Sequence, residues 1–176
     1  MTMNLQPVLT GDTLLLRPLR AEDFAALYAV ASDPLIWEQH PDPTRWQRPV
    51  FEKFFSAAME SGGAFLIVEK ATGNVLGSSR YYDWNPQEQS VAIGFTFLHR
   101  SCWGGKTNAE LKKLMLDHAF RHAKTVWFHV GVNNMRSRRA MEKIGGRYSH
   151  TGPFLRSGVA TEHAYYRIDA PEKTAG

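Results

Sequence analysis

The run Ile93-Gly94-Phe95-Thr96-Phe97-Leu98-His99-Arg100, continued by Ser101-Cys102-Trp103-Gly104-Gly105-Lys106-Thr107-Asn108, decides how the rest of the chain is read. Its first half has the aromatic and β-branched character of a strand. Its second half carries a glycine pair and opens an amphipathic stretch. A strand that feeds a glycine loop and then a helix brings the first helical N–H groups, which lack intrahelical partners, to the loop. They carry the positive end of the helix dipole, and glycines let an anion come close to the backbone. A pyrophosphate suits such a place, with Lys106 and Arg100 as charged donors within reach of it. A plain turn before a helix capped by Thr107 or Asn108 fits the spacing equally well. Neither GxxxxGK[ST] nor GxGxxG occurs around Gly104. Nucleotide hydrolysis and hydride transfer therefore lose support.

Upstream, Leu14 to Leu16 reads as a short strand that Pro18 limits, the first edge element. Phe24, Leu27, Tyr28 and Ala31 share one face of a helix of about three turns. Asp33 to Pro49 holds four prolines and two tryptophans and is expected to be a loop. From about Pro49 the spacing of Phe51, Phe54, Phe55 and Ala58 predicts a second helix, which Gly62-Gly63 ends. Ala64–Glu69 and Val75–Tyr82 form a hairpin across Ala71-Thr72-Gly73-Asn74, and Ser90–Leu98 is the next strand.

Downstream, a helix from about Thr107 to Lys124, a strand at Thr125–Val130 and a helix from about Asn134 to Ile144 follow. Strands near Arg147–Ser149 and at His163–Ile168 close the chain. The order gives a mixed α/β layer rather than strict strand–helix alternation.

Composition sets outer bounds. The 176 residues suit one domain with one core, and 43% apolar residues argue against global disorder. Cys102 is the sole cysteine, so neither an intrachain disulfide nor a cysteine-rich metal site can be built from this chain. The seven histidines show no HExxH-like pairing, so no metal is expected. No stretch approaches the roughly 18 apolar residues of a membrane helix, and the start lacks a basic segment followed by an apolar run. A cytoplasmic protein without a membrane partner is expected. The net charge of +4 raises the odds of an anionic partner. Nucleic acid is not expected, because Arg136-Ser137-Arg138-Arg139 stands without a recognised groove- or strand-binding motif.

The second half of the signature is Val130-Gly131-Val132-Asn133-Asn134-Met135-Arg136-Ser137-Arg138-Arg139-Ala140-Met141-Glu142-Lys143-Ile144-Gly145-Gly146. Together with the glycine loop it resembles the acyl-CoA core of the GCN5-related N-acetyltransferases, over roughly residues 12–168 of a single domain spanning 1–176. Thr107-Asn108-Ala109-Glu110-Leu111-Lys112-Lys113-Leu114-Met115-Leu116 resembles the ribosomal-protein-acetyltransferase-like (RimJ/RimL-type) branch.

The resemblance implies a central mixed sheet whose two parallel strands splay, with the pantetheine arm of acetyl-CoA paired to one strand at Phe95, Thr96 and Phe97. It places Trp103, Gly104, Gly105, Lys106, Thr107 and Asn108, with Arg100, around the pyrophosphate. Asn134 would bond the pantetheine arm, a role compatible with capping the helix that follows. Ser137 would lie near the thioester sulfur and protonate the leaving thiolate. Arg138 and Arg139 are candidates for the adenosine 3′-phosphate, although a solvated basic face explains them as well.

Many relatives carry a glutamate two residues before the strand glycine, where Val91-Ala92-Ile93-Gly94 has Ala92. Asp83, Glu88, Glu38 and His40 are the substitutes considered for the missing base. Trp37, Trp46, Tyr81, Tyr82 and Trp84 could line an acceptor pocket, with core packing the stronger reading for the tyrosines. The expected reaction moves acetyl from acetyl-CoA to a primary amine, on a protein N-terminus or a small molecule, by a monomer or homodimer. A non-catalytic acyl-CoA-binding module is the alternative that Ala92 keeps open.

Overall fold

Leu14 and Leu16 are almost wholly buried while Leu15 between them is not, the period-two pattern of a strand with one face in the core. That alternation recurs through a computed structural model that describes residues 2–156 and 159–172. Among the described residues there are eight strands: β1 (Leu9–Thr10), β2 (Leu14–Pro18), β3 (Ala64–Glu69), β4 (Val75–Asn85), β5 (Ser90–Leu98), β6 (Thr125–Gly131), β7 (Arg147–Arg156) and β8 (Val159–Asp169). The four α-helices are α1 (Phe24–Ala31), α2 (Arg48–Ser61), α3 (Thr107–Ala119) and α4 (Met135–Lys143).

The strands form one mixed sheet in the order β1-β2-β3-β4-β5-β6-β8-β7. Every neighbouring pair is antiparallel except β5 with β6. Alternate residues of β3 feed opposite faces: Phe65 and Ile67 join the cluster with Leu111, Met115 and Ala119 of α3, whereas Leu66 joins Leu27, Phe51, Phe54 and Phe55 of α1 and α2. Helices thus cover both faces, as a sheet with two apolar sides requires.

Local chemistry sets the element ends. Gly62, at φ 70°, closes α2 in the left-handed conformation that a side chain disfavours. Asp23 accepts the Arg20 N–H at 2.8 Å and hydrogen bonds from Arg17 Nη1 and Nη2 at 2.9 and 2.7 Å, fixing the chain between β2 and α1.

Three expectations are corrected. β2 is not an edge, because β1 pairs outside it through Leu9 and Leu16. The third helix ends at Ala119 rather than Lys124; the Ala123 N–H turns back to the Ala119 carbonyl at 2.8 Å and leaves a short turn before β6. The last two strands are longer than expected, β7 reaching Arg156 and β8 starting at Val159, because their polar pairing carries no clean alternation to read. Among the described residues no helix is long and apolar enough to cross a membrane.

Candidate active site at the parting of two strands

The parallel pairing of β5 with β6 covers only Ser90 with Thr125, Val91 with Val126 and Ala92 with Trp127. Beyond Ala92 the strands part, so on that side the backbone of Ile93 to Leu98 has no strand partner. Backbone donors and acceptors that lose a ladder need another partner, and an extended ligand with amides can supply one.

A bulge sharpens the parting. Ser78 pairs with Phe97 and Arg80 with Gly94, so β5 carries one residue more than β4 across this interval. The extra residue bends the strand at Phe95, whose φ of 53° lies in a region that bulky residues rarely adopt. Phe95 is held there by the Arg80 guanidinium 4.0 Å above its ring, with Tyr82 at 5.1 Å and Phe54 at 6.3 Å between centroids.

The cleft so opened has about 1060 Å³ of empty space, counting its open mouth. Phe95, Thr96 and Phe97 form its β5 wall, Trp103, Gly104, Gly105 and Asn108 its glycine-loop end, and Asn134 and Ser137 its α4 side. Gly104 has φ 73°, and a Cβ there would meet nothing, so the glycine is needed for conformation rather than for space. Trp103 anchors the loop, donating its indole N–H to the Leu98 carbonyl at 3.2 Å, with the Arg136 guanidinium 3.5 Å from its ring centre.

Nine of the twelve residues expected to meet the cofactor therefore line one cleft. Arg100, Lys106 and Thr107 are not on its wall. The Arg100 guanidinium is paired with Asp33, and Lys106 is an exposed residue just before α3. Asn134 is buried and caps α4, its Oδ1 accepting the Ser137 N–H at 3.4 Å, while its side chain also borders the cleft. Arg138 donates to the Tyr166 hydroxyl and the Val132 carbonyl, and Arg139 is exposed.

Several wall residues lie outside the set expected from the sequence. Lys112 and His129 are buried or half-buried groups on α3 and β6, and Arg136 and Pro41 close the rim. A lysine among leucines on an apolar helix face was a readable signal for the first. Nothing local marks His129, because strand partners thirty or more residues away decide where it points.

A second cavity lies beside the first and shares His129 with it. Asp83, Glu88, Ala92, Trp127, His150 and Tyr165 are among its walls. Asp83 sits in a second bulge, where Tyr82 pairs with Ala92 and Asn85 with Ser90, and its φ is 54°. Partial loss of water raises its carboxyl above the ordinary carboxylate value. The Tyr82 hydroxyl lies 2.6 Å from Nδ1 of His129, whose ring stacks on Phe154 at 4.4 Å.

Of the other base candidates, His40 borders the main cleft and accepts the Asp42 N–H at Nδ1, 2.9 Å away, whereas Glu38 is exposed and borders neither cavity. Trp37 and Tyr81 are core residues, only 2% and 0% exposed. None of the five aromatic residues considered for an acceptor pocket lines the second cavity; Trp127 and Tyr165 do.

Solved structures share this architecture. A GCN5-related N-acetyltransferase from Brucella melitensis superimposes with a TM-score of 0.77 at 21% identity, over 93% of this chain and 79% of that one. Mycobacterium smegmatis RimJ in complex with CoA-disulfide gives 0.68 at 22% identity, over 89% and 82%. A spermidine N-acetyltransferase from Vibrio cholerae, in complex with CoA and spermine, gives 0.68 at 16%, over 90% and 96%. At these identities the likeness carries the fold alone. The sequence itself goes further: residues 13–147 match the acetyltransferase (GNAT) domain, a span that holds the bulged strand, the glycine loop and both cleft helices, and the chain belongs to that acetyltransferase family.

Proposed function

We propose that the chain is an acetyl-CoA-dependent N-acetyltransferase of the RimJ/RimL-like branch, acting on a primary amine of a protein N-terminus or a small molecule. The observation that carries the reading is the parting of β5 and β6 beyond Ala92, which leaves an open strand edge leading to the glycine loop before α3.

The residues present fit the cosubstrate. The free edge at Phe95 to Phe97 suits the amides of pantetheine, and the loop at Trp103 to Asn108 suits its pyrophosphate. Asn134 and Ser137 face the same cleft. Bound acetyl-CoA supplies an activated acyl group. The protein's part is to hold that group, to take a proton from the attacking amine and to return one to the thiolate. The last role is assigned to the Ser137 hydroxyl, whose residue borders the cleft.

For the first proton, Asp83 and His129 stand at the second cavity, which adjoins the cleft and so offers the amine a separate approach. A raised carboxyl is a better base near neutrality than an ordinary one. When Nδ1 of His129 donates to Tyr82, Nε2 is left as a proton acceptor. Asp83 and Glu88, with the aromatic faces of Trp127 and Tyr165, favour a cationic amine on this side. The spermine bound to the Vibrio cholerae neighbour makes polyamines a natural part of the acceptor screen.

Calorimetry with acetyl-CoA, followed by a free-thiol screen over N-terminal peptides, aminoglycosides and polyamines, tests the reading. Binding with thiol release on one acceptor class supports it. Absence of binding at millimolar cosubstrate would sink it. Tight binding without turnover over the whole screen would favour the acyl-CoA-binding module instead.

A further inference from the structure

Lys112 is the one charged residue of α3 whose side chain is shut away from water, with 4% of its surface exposed. Among the described residues its ammonium has a single hydrogen bond, to Thr96 Oγ1 at 3.1 Å, and no carboxylate within ion-pair distance. Thr96 in turn meets Ser79 Oγ at 2.8 Å. An ammonium has three donors, so two remain beyond the bond to Thr96. Lys112 also borders the cleft.

A buried cation with so little compensation lowers the stability of the fold that contains it. Burial alone pushes its pKa down to about 8. An apolar residue of the same length would fill this position at lower cost, so packing gives no reason for a lysine here.

The position says what the reason is. Lys112 lies five residues past the first residue of α3, Thr107, about 7.5 Å further along the helix axis. It stands against Thr96, in the bulge, rather than beside Gly104 and Gly105. An extended arm laid along β5 from the loop passes its amide groups here, and an amide carbonyl is the acceptor such an arm presents.

We propose that Lys112 is a cosubstrate-binding residue, its ammonium held by Thr96 and donating a hydrogen bond to a carbonyl oxygen of the pantetheine arm. The proposal rests on the acyl-CoA reading of the cleft. It adds a side-chain contact to the arm, on the α3 side, to the backbone contacts that the open strand edge offers.

The test is calorimetric titration of the wild-type protein and Lys112→Met with coenzyme A and with adenosine 3′,5′-bisphosphate, which lacks the arm, together with the melting temperature of each unliganded protein. A hydrogen bond from a charged donor to the arm is worth about a ten- to hundred-fold change in Kd. Lys112→Met is expected to lose that much affinity for coenzyme A, keep its affinity for the bisphosphate, and melt no lower than wild type. Unchanged affinity for coenzyme A overturns the proposal. So does an equal loss for both ligands with a lowered melting temperature, which marks Lys112 as a prop for Thr96. Failure of the wild-type protein to bind either ligand removes the acyl-CoA reading itself, and the proposal with it.

Discussion

Asp83 on β4 and Ala92 on β5 line the same cavity from neighbouring strands. In the proposed function Asp83, brought to this cavity by the bulge between the Tyr82–Ala92 and Asn85–Ser90 pairs, takes the base role that Ala92 cannot. Asp83→Asn is therefore expected to lower turnover about a hundred-fold or more while leaving acetyl-CoA affinity unchanged. Stability moves the other way. A carboxyl whose folded pKa is raised binds its proton more readily in the native state, so its ionised form opposes folding above that pKa. The variant should melt at or above wild type at neutral pH, and the difference should vanish below the ordinary carboxylate value. Wild-type turnover in Asp83→Asn, with any acceptor, would remove Asp83 from the proton path.

The Tyr82–His129 contact joins β4 to β6 beneath the bulged stretch of β5. Tyr82→Phe deletes the hydroxyl but keeps the ring that supports Phe95, at 5.1 Å. The expected outcome is a kcat reduced several-fold with KM for acetyl-CoA unaltered. A drop in melting temperature with kcat unchanged would make the contact structural only. His129→Gln should cost more, about a hundred-fold in turnover, if its imidazole handles the amine proton.

The β5 and glycine-loop walls of the main cleft were legible in the sequence because each is contiguous in the chain. Phe95 to Phe97 and Trp103 to Asn108 are two local motifs, and a strand and a helix start read from spacing alone place them side by side. The second cavity was not legible for the opposite reason. Asp83, Trp127, His150 and Tyr165 come from four strands, β4, β6, β7 and β8, and only the register brings them together. A charge pair also escaped local reading. Arg100 looks like an anion donor from its place before the loop, yet Asp33, far upstream, takes it. The bulge at Phe95 left no sequence mark either, since a phenylalanine is the wrong residue to announce a positive φ.

Gly131 offers a way to disturb the cleft from outside its polar groups. A Cβ built there would come within 2.4 Å of Pro41 Cγ and 2.9 Å of its Cδ, both in a ring that cannot swing aside as a flexible chain would. Gly131→Ala must push the Pro41 segment off the end of β6, moving one rim of the cleft. Overpacking of this kind costs about 1–3 kcal/mol. The expected result is a lowered melting temperature and weaker acetyl-CoA binding together. Restoration of both by Pro41→Gly in the double variant would confirm the steric cause, and additivity of the two effects would refute it.

The link between Arg17 and Asp23 predicts how the protein responds to acid. Burial by itself raises the Asp23 carboxyl, but the two Arg17 hydrogen bonds and the Arg20 N–H outweigh it and hold the group below its ordinary value. The unfolded chain therefore takes up this proton at a higher pH than the native one, and stability falls as pH drops. The contribution is fully present above the ordinary carboxylate value, about pH 4, and is lost as pH falls through the lower folded value. Asp23→Asn keeps the size of the side chain but loses the charge that Arg17 Nη1 and Nη2 meet. A loss of about 1–3 kcal/mol is expected at neutral pH, from hydrogen bonds to a charged group. In a domain of this size that is a fall in Tm of about 2–4 °C per kcal/mol. Melting curves taken from neutral to strongly acid pH should show the gap between wild type and Asp23→Asn narrowing as Asp23 is protonated. A gap that stays constant across that range would mean that the asparagine loses packing rather than charge, and that the Arg17 pair adds nothing to the acid response.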